Sequence, residues 1–123
     1  MNKLILIGCL LLFFKVDNQV FVTATVYNAV PEQTDGDPFI TASGAAIEPC
    51  CPGDHRWLAV SRDLELEGFI FGAKVLVTGA GEYDGVWTVE DRMNKRWFRR
   101  IDFLVDYHIT YGRWEDVKIE LLK

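Results

Sequence analysis

The sequence predicts a mainly β protein, a small closed barrel of about six strands with one or two short helices. Three observations lead there. Short runs of β-branched and aromatic residues are separated by clusters of Gly, Pro, Asn and Asp. No strand-helix alternation and no long amphipathic helix occurs, which disfavours a doubly wound sheet or a bundle. Finally, "LAVSRDLELEGFIFGAKVLVTG" and "IDFLVDYHITYGRWEDVKIELL" share one plan: strand, short helical stretch, aromatic-glycine pair, strand. Two copies of a unit suit a pseudo-symmetric barrel.

The elements follow in chain order. "MNK" and the apolar run from Leu4 to Phe14 read as the n- and h-regions of an export signal, too short for a spanning helix. Residues 1–19 are therefore expected to be an export segment, and residues 20–123 a single barrel domain. "LIGC" before Cys9 looks like a lipoprotein box, but the apolar run continues past the cysteine. The β-branched, alternating run from Gln19 to Tyr27 reads as the first strand. Polar loops follow through "NAVPEQTDGDP" and "EPCCPGDH", with the small-residue stretch "FITASGAAI" between them. "RWLAVS" resumes as a strand, and "KVLVTG", "GVWTVED", "RIDFLV" and the final "WEDVKIELL" complete the count.

Composition narrows the function. The chain is half hydrophobic and a quarter charged, as expected of a folded domain of 123 residues. A net charge of −5 argues against nucleic-acid binding, which calls for a basic footprint. No C-x-x-C and no paired histidines occur, so neither a zinc site nor any other cofactor is expected. His55 and His108 read as satisfied surface histidines. Adjacent Cys50 and Cys51 are poorly spaced for a bridge, because ordinary disulfides need more widely separated Cα atoms.

The chemistry concentrates in "TVEDRMNKRWFRRIDF". Here Asp91 and Asp102 bracket Arg92, Lys95, Arg96, Arg99 and Arg100. Strand alternation puts Asp91 on the face of Trp87 and Val89, where burial would raise its pKa toward general-acid use. Asp102 falls on the face opposite Ile101 and Phe103. If the two strands meet, the carboxylates become neighbours and repulsion raises one pKa further, while the arginines oppose the shift. Trp97 and Phe98 within the basic run suit stacking on sugars. The plainer alternatives are a salt-bridged strand end and a solvated loop.

Three stretches carry a family resemblance: "TASG" at Thr41 to Gly44, "LAVSRDL…FGAKVLVTGAG" from Leu58 to Gly81, and "VEDRMNKRWFRRIDFLV" from Val89 to Val105. They resemble the three-aspartate (3D) domain of the membrane-bound lytic transglycosylase A family and the stationary-phase survival muralytic enzymes. They are also similar to the barrel of the rare lipoprotein A family. The resemblance covers roughly residues 21 to 122. It implies a double-psi β-barrel, placed outside the cell or in the envelope (the periplasm), that cuts peptidoglycan strands without water and leaves a 1,6-anhydro end.

Carried over residue by residue, the resemblance makes Asp91 both acid and base, with Asp102 orienting it or tuning its pKa. Tyr27, Thr41 and Ser43 would line a substrate groove, and Ser61 or Asp63 would hydrogen-bond the sugar. The basic loop, Arg92 included, would meet carboxylates of the stem peptides. The chain departs from the pattern at Ser61, where those families carry aspartate or histidine, and in the loop after Asp91, where "RMNKR" replaces "TGG". The partner implied is the peptidoglycan strand, with no nucleic acid and with membrane contact only through an uncleaved N-terminal segment. The alternative is a non-catalytic module that binds glycan or a partner, as in expansin-like proteins, since a fold alone does not confer activity.

Overall fold

The computed structural model describes residues 19–34 and 36–123. The export segment expected at residues 1–19 lies outside them, except Gln19, which opens the first strand. Six strands form a closed barrel: β1 (Gln19–Tyr27), β2 (Trp57–Val60), β3 (Lys74–Thr78), β4 (Gly85–Arg92), β5 (Arg100–Leu104) and β6 (Arg113–Leu121). Their order around the barrel is β1-β5-β2-β4-β3-β6, with β6 closing onto β1. One four-residue helix, α1 (Arg62–Glu65), follows β2.

The pairing carries a two-fold pseudo-symmetry. The pairs β1-β5 and β2-β4 are parallel, and β1-β6, β3-β4, β2-β5 and β3-β6 are antiparallel. Exchanging the first three strands with the last three leaves this pattern unchanged. The fold is a six-stranded double-psi β-barrel, and the repeat in the sequence is its trace. Its second copy differs in one respect. Where a short helix was expected after β5, the chain makes a turn, and the Asn28 side-chain amide donates to the carbonyls of Val105, Asp106 and Ile109. Those carbonyls are drawn to a side chain on the loop after β1 rather than into a helical ladder.

Strand alternation divides the interior into two cores. On β2, Leu58 and Val60 point into the barrel with Trp87, Val89, Ile101 and Phe103. There the Trp87 and Phe103 rings lie 4.6 Å apart, and each buried side chain stabilises the fold by about 1.5–3 kcal/mol. Ala59, between them in sequence, faces outward into a second cluster with Tyr27, Ile47, Met93 and Leu104. The loop between β1 and β2 covers that outer face, so β2 is buried on both sides.

Cys50 and Cys51 are joined by a disulfide, contrary to the expectation drawn from ordinary spacing. The bond links neighbours whose Cα atoms are 3.8 Å apart, just ahead of a 3-10 turn at Pro52–His55. His55 is half-buried and has its partners. Its ring stacks on Trp57 at 4.0 Å, and its Nε2 accepts the Glu48 N–H.

Candidate functional site

The outer face of β1, β5, β2 and β4 presents one continuous row. Thr25 pairs with Asp102, Asp102 with Ala59, and Ala59 with Asp91. The row crosses the pseudo-two-fold axis, which exchanges Asp102 with Ala59 and Asp91 with Thr25. It lies in a groove of about 750 Å³ lined by Thr25, Tyr27, Asp91 and Asp102, with Thr41, Arg92 and Trp97 around them.

Asp91 reaches this face through a β-bulge. Leu58 pairs with Val89 but Ala59 pairs with Asp91, so Glu90 is an extra residue on β4. One extra residue inverts the side-chain alternation that follows it. Asp91 therefore does not continue the face of Trp87 and Val89, as strict alternation required; it turns outward beside Ala59. The "TASG" loop clamps the bulge, with Ser43 N–H donating to the Glu90 carbonyl and Ala42 N–H to Asp91 Oδ1 at 2.9 Å. Asp91 also accepts from the Arg92 N–H at 2.9 Å and from the Tyr27 hydroxyl at 2.8 Å. Burial first, then the charge of Asp91 and the hydrogen bond to it, push the Tyr27 phenol well above its usual range.

Asp102 is held differently. The Thr25 hydroxyl hydrogen-bonds to its Oδ1, and Arg100 Nε donates to the same hydroxyl oxygen at 3.3 Å. The Arg100 guanidinium stacks 4.0 Å from the centre of the Trp97 ring. Burial raises the Asp102 pKa and the charge of Asp91 adds to that, while Thr25 and Arg100 pull it down; the balance is upward. The two acids are not on adjacent strands, since β2 runs between β4 and β5.

The remaining expected residues divide. Thr41 lines the groove, and its hydroxyl lies 2.9 Å from that of Ser43 while accepting the Ala45 N–H. Arg92 is at the groove, but its guanidinium is paired with Glu65 on α1. Ser61 and Asp63 are not brought into it. Ser61 is 0% exposed, and its Oγ accepts the Arg100 N–H at 3.0 Å, tying the end of β2 to the start of β5. Asp63 accepts the N–H of Arg99, which stands at φ 51° in the turn entering β5. Sequence reasoning missed Thr25 and Ala59, and it placed Arg100 only in the basic run, not against Thr25 and Trp97. Thr25 was findable, because alternation on β1 puts it on the face of Tyr27.

No protein-family model matches the chain, and no curated protein matches it. Among solved structures it is similar to two of the Clavibacter michiganensis expansin. The apo form gives a TM-score of 0.54 and an aspartate-to-asparagine variant in complex with cellohexaose gives 0.53. Both are 16% identical over 85% of this chain. The chain spans about half the length of those expansin chains, and the likeness is one of fold: the same double-psi barrel.

Proposed function

We propose that this barrel is a cell-wall module that acts outside the cell and grips a glycan strand along the groove above β1, β5, β2 and β4. The observation that carries this reading is the row Thr25, Asp102, Ala59, Asp91 at the floor of an open polar groove. A sugar chain needs hydrogen-bond acceptors for its hydroxyls and a flat surface for its ring faces. Asp91 and Asp102 provide the first, and Trp97 the second. The expansin fold likeness supports it, since one of those structures holds cellohexaose. The domain boundary follows the same reading, with residues 20–123 as the module and residues 1–19 as its export segment.

A second reading, lytic cleavage of peptidoglycan strands, is favoured by one observation: a carboxyl with a raised pKa, Asp102, stands one residue across from the hydrogen-bonded Asp91. In that reading one carboxyl protonates the leaving glycosidic oxygen, and a carboxylate takes the proton of the attacking C6 hydroxyl. Ser61 weighs against it, since the third acid of the resembled families is replaced by an enclosed hydroxyl.

One experiment separates them. Purified protein is incubated with insoluble cell-wall glycan; bound protein and soluble anhydro-muropeptides are both measured, for the wild type and for Asp91→Asn. Binding without product supports the module. Product that disappears in the variant establishes the lyase, and neither binding nor product overturns both.

A further inference from the structure

Five of the chain's seven arginines, Arg62, Arg92, Arg96, Arg100 and Arg113, line the groove, and among the described residues no lysine does. Among the described residues the acids lining it with them are Glu32, Asp91 and Asp102. A protein of net charge −5 has thus made the concave surface its cationic region.

The individual partners sharpen this. Arg92 pairs with Glu65, Arg113 with Glu115, and Arg99, just outside the groove, with Glu67. Arg56 is spent on the carbonyls of Asp84 and Val86. Arg100 is fastened to Thr25 and to the Trp97 ring. Arg62 and Arg96 remain. Among the described residues neither has a salt bridge, although Arg96 lies 5.0 Å from the Trp97 ring centre. Both are exposed at the groove, one from the start of α1 and one from the loop between β4 and β5. Guanidinium groups match carboxylates in planar, two-point hydrogen bonds that a lysine cannot reproduce.

Building on the glycan-binding reading, we propose that the groove selects carboxylate-bearing glycans, with Arg62 and Arg96 forming the carboxylate subsite. A neutral strand can occupy the same floor but leaves both guanidinium groups without a partner. Carboxylates could come from the sugar ring itself, as in a uronate polymer, or from peptides attached to the strand.

The test is a set of binding isotherms with the full chain. The polymers are insoluble cellulose, calcium-free cross-linked polygalacturonate, peptidoglycan with its stem peptides, and the same peptidoglycan stripped of them. The expected result is tighter binding to the carboxylated polymers, weakening as salt is raised. Arg62→Gln with Arg96→Gln should lower affinity for them about tenfold, as expected for two charge-assisted contacts at an exposed site, and leave cellulose binding in place. Lys95→Gln, on the same loop but outside the groove, is the control for overall charge and should leave the preference intact. Preference for polygalacturonate over intact peptidoglycan assigns the carboxylate to the ring; loss of binding on stripping the peptides assigns it to them. Equal binding to cellulose and the carboxylated polymers overturns the selectivity but leaves glycan binding standing, as does a double variant that keeps the preference. Binding to none of the four overturns the function proposed above as well.

Discussion

Asp91 and Asp102 both pair with Ala59, one from each side, so the two carboxylates hang from a single row with one methyl group between them. With strands about 4.8 Å apart, their Cα atoms are separated by roughly 10 Å. That spacing leaves room for a ligand group between the acids, and it depends on two features. The bulge at Glu90 turns Asp91 to this face, and the small side chain of Ala59 keeps the gap open.

Enlarging Ala59 should therefore close the floor of the groove. Ala59 is 4% exposed and packed in the outer cluster with Tyr27 and Leu104. Ala59→Leu is expected to cost about 1–3 kcal/mol through overpacking and to abolish glycan binding. Chemical denaturation and a polymer pull-down measure the two effects separately. A variant of reduced stability that still binds glycan normally would show that the space between the acids is not used.

The pH dependence of stability should carry the mark of Asp102. Burial holds its carboxyl above the ordinary value of 3.8, so the folded protein keeps this proton more tightly than the unfolded chain does. Its stabilising contribution is complete below the unfolded pKa, near 3.9, and is lost as pH rises through the folded value. Asp102→Asn cannot ionise and keeps an oxygen to accept the Thr25 hydroxyl. The unfolding free energy of the variant relative to wild type should shift in the variant's favour as pH rises from below the unfolded value through the raised folded one. A difference that is flat with pH would mean that Asp102 ionises equally easily in both states.

The strands were legible because their alternation is local: the run from Gln19 to Tyr27 is β1, and the two matching segments are the symmetry-related halves of the barrel. The side on which Asp91 emerges was not legible. It is set by a register shift between β2 and β4, whose paired residues are some 30 positions apart, and no glycine or proline marks Glu90. The anchoring of Asp102 was hidden for the same reason, since Thr25 meets it across 77 positions. The vacancy suspected at Ser61 also changes meaning: that hydroxyl is a fastener between β2 and β5.

Ser61→Ala tests that role. The substitution leaves the Arg100 N–H facing Ser61 without its acceptor in a site closed to water, and an unsatisfied buried donor costs about 1–3 kcal/mol. The variant should unfold at lower denaturant with an unchanged slope, and binding to glycan, measured well below its midpoint, should be retained. Lost binding at full folding would return Ser61 to the groove as a functional residue.

Tyr27→Phe should act on the groove more than on the barrel. The ring stays in the outer cluster, while Asp91 loses its 2.8 Å hydroxyl donor and keeps the two backbone donors from Ala42 and Arg92. A single charge-assisted bond of this kind contributes about 1.5–3 kcal/mol, so the expected cost in stability is of that size. Glycan affinity should fall with it, because the remaining donors approach only Oδ1 and leave Oδ2 without its positioning partner. An alkaline absorbance titration provides the independent reading. Of the four tyrosines, Tyr27 is the one whose phenol is pushed furthest up, by burial and then by Asp91. The wild type should show a phenol that resists ionisation until the protein unfolds, and the variant should lack that step. If the resistant step persists in Tyr27→Phe, the phenol held back is that of another tyrosine, and burial beside Asp91 does not set Tyr27 apart.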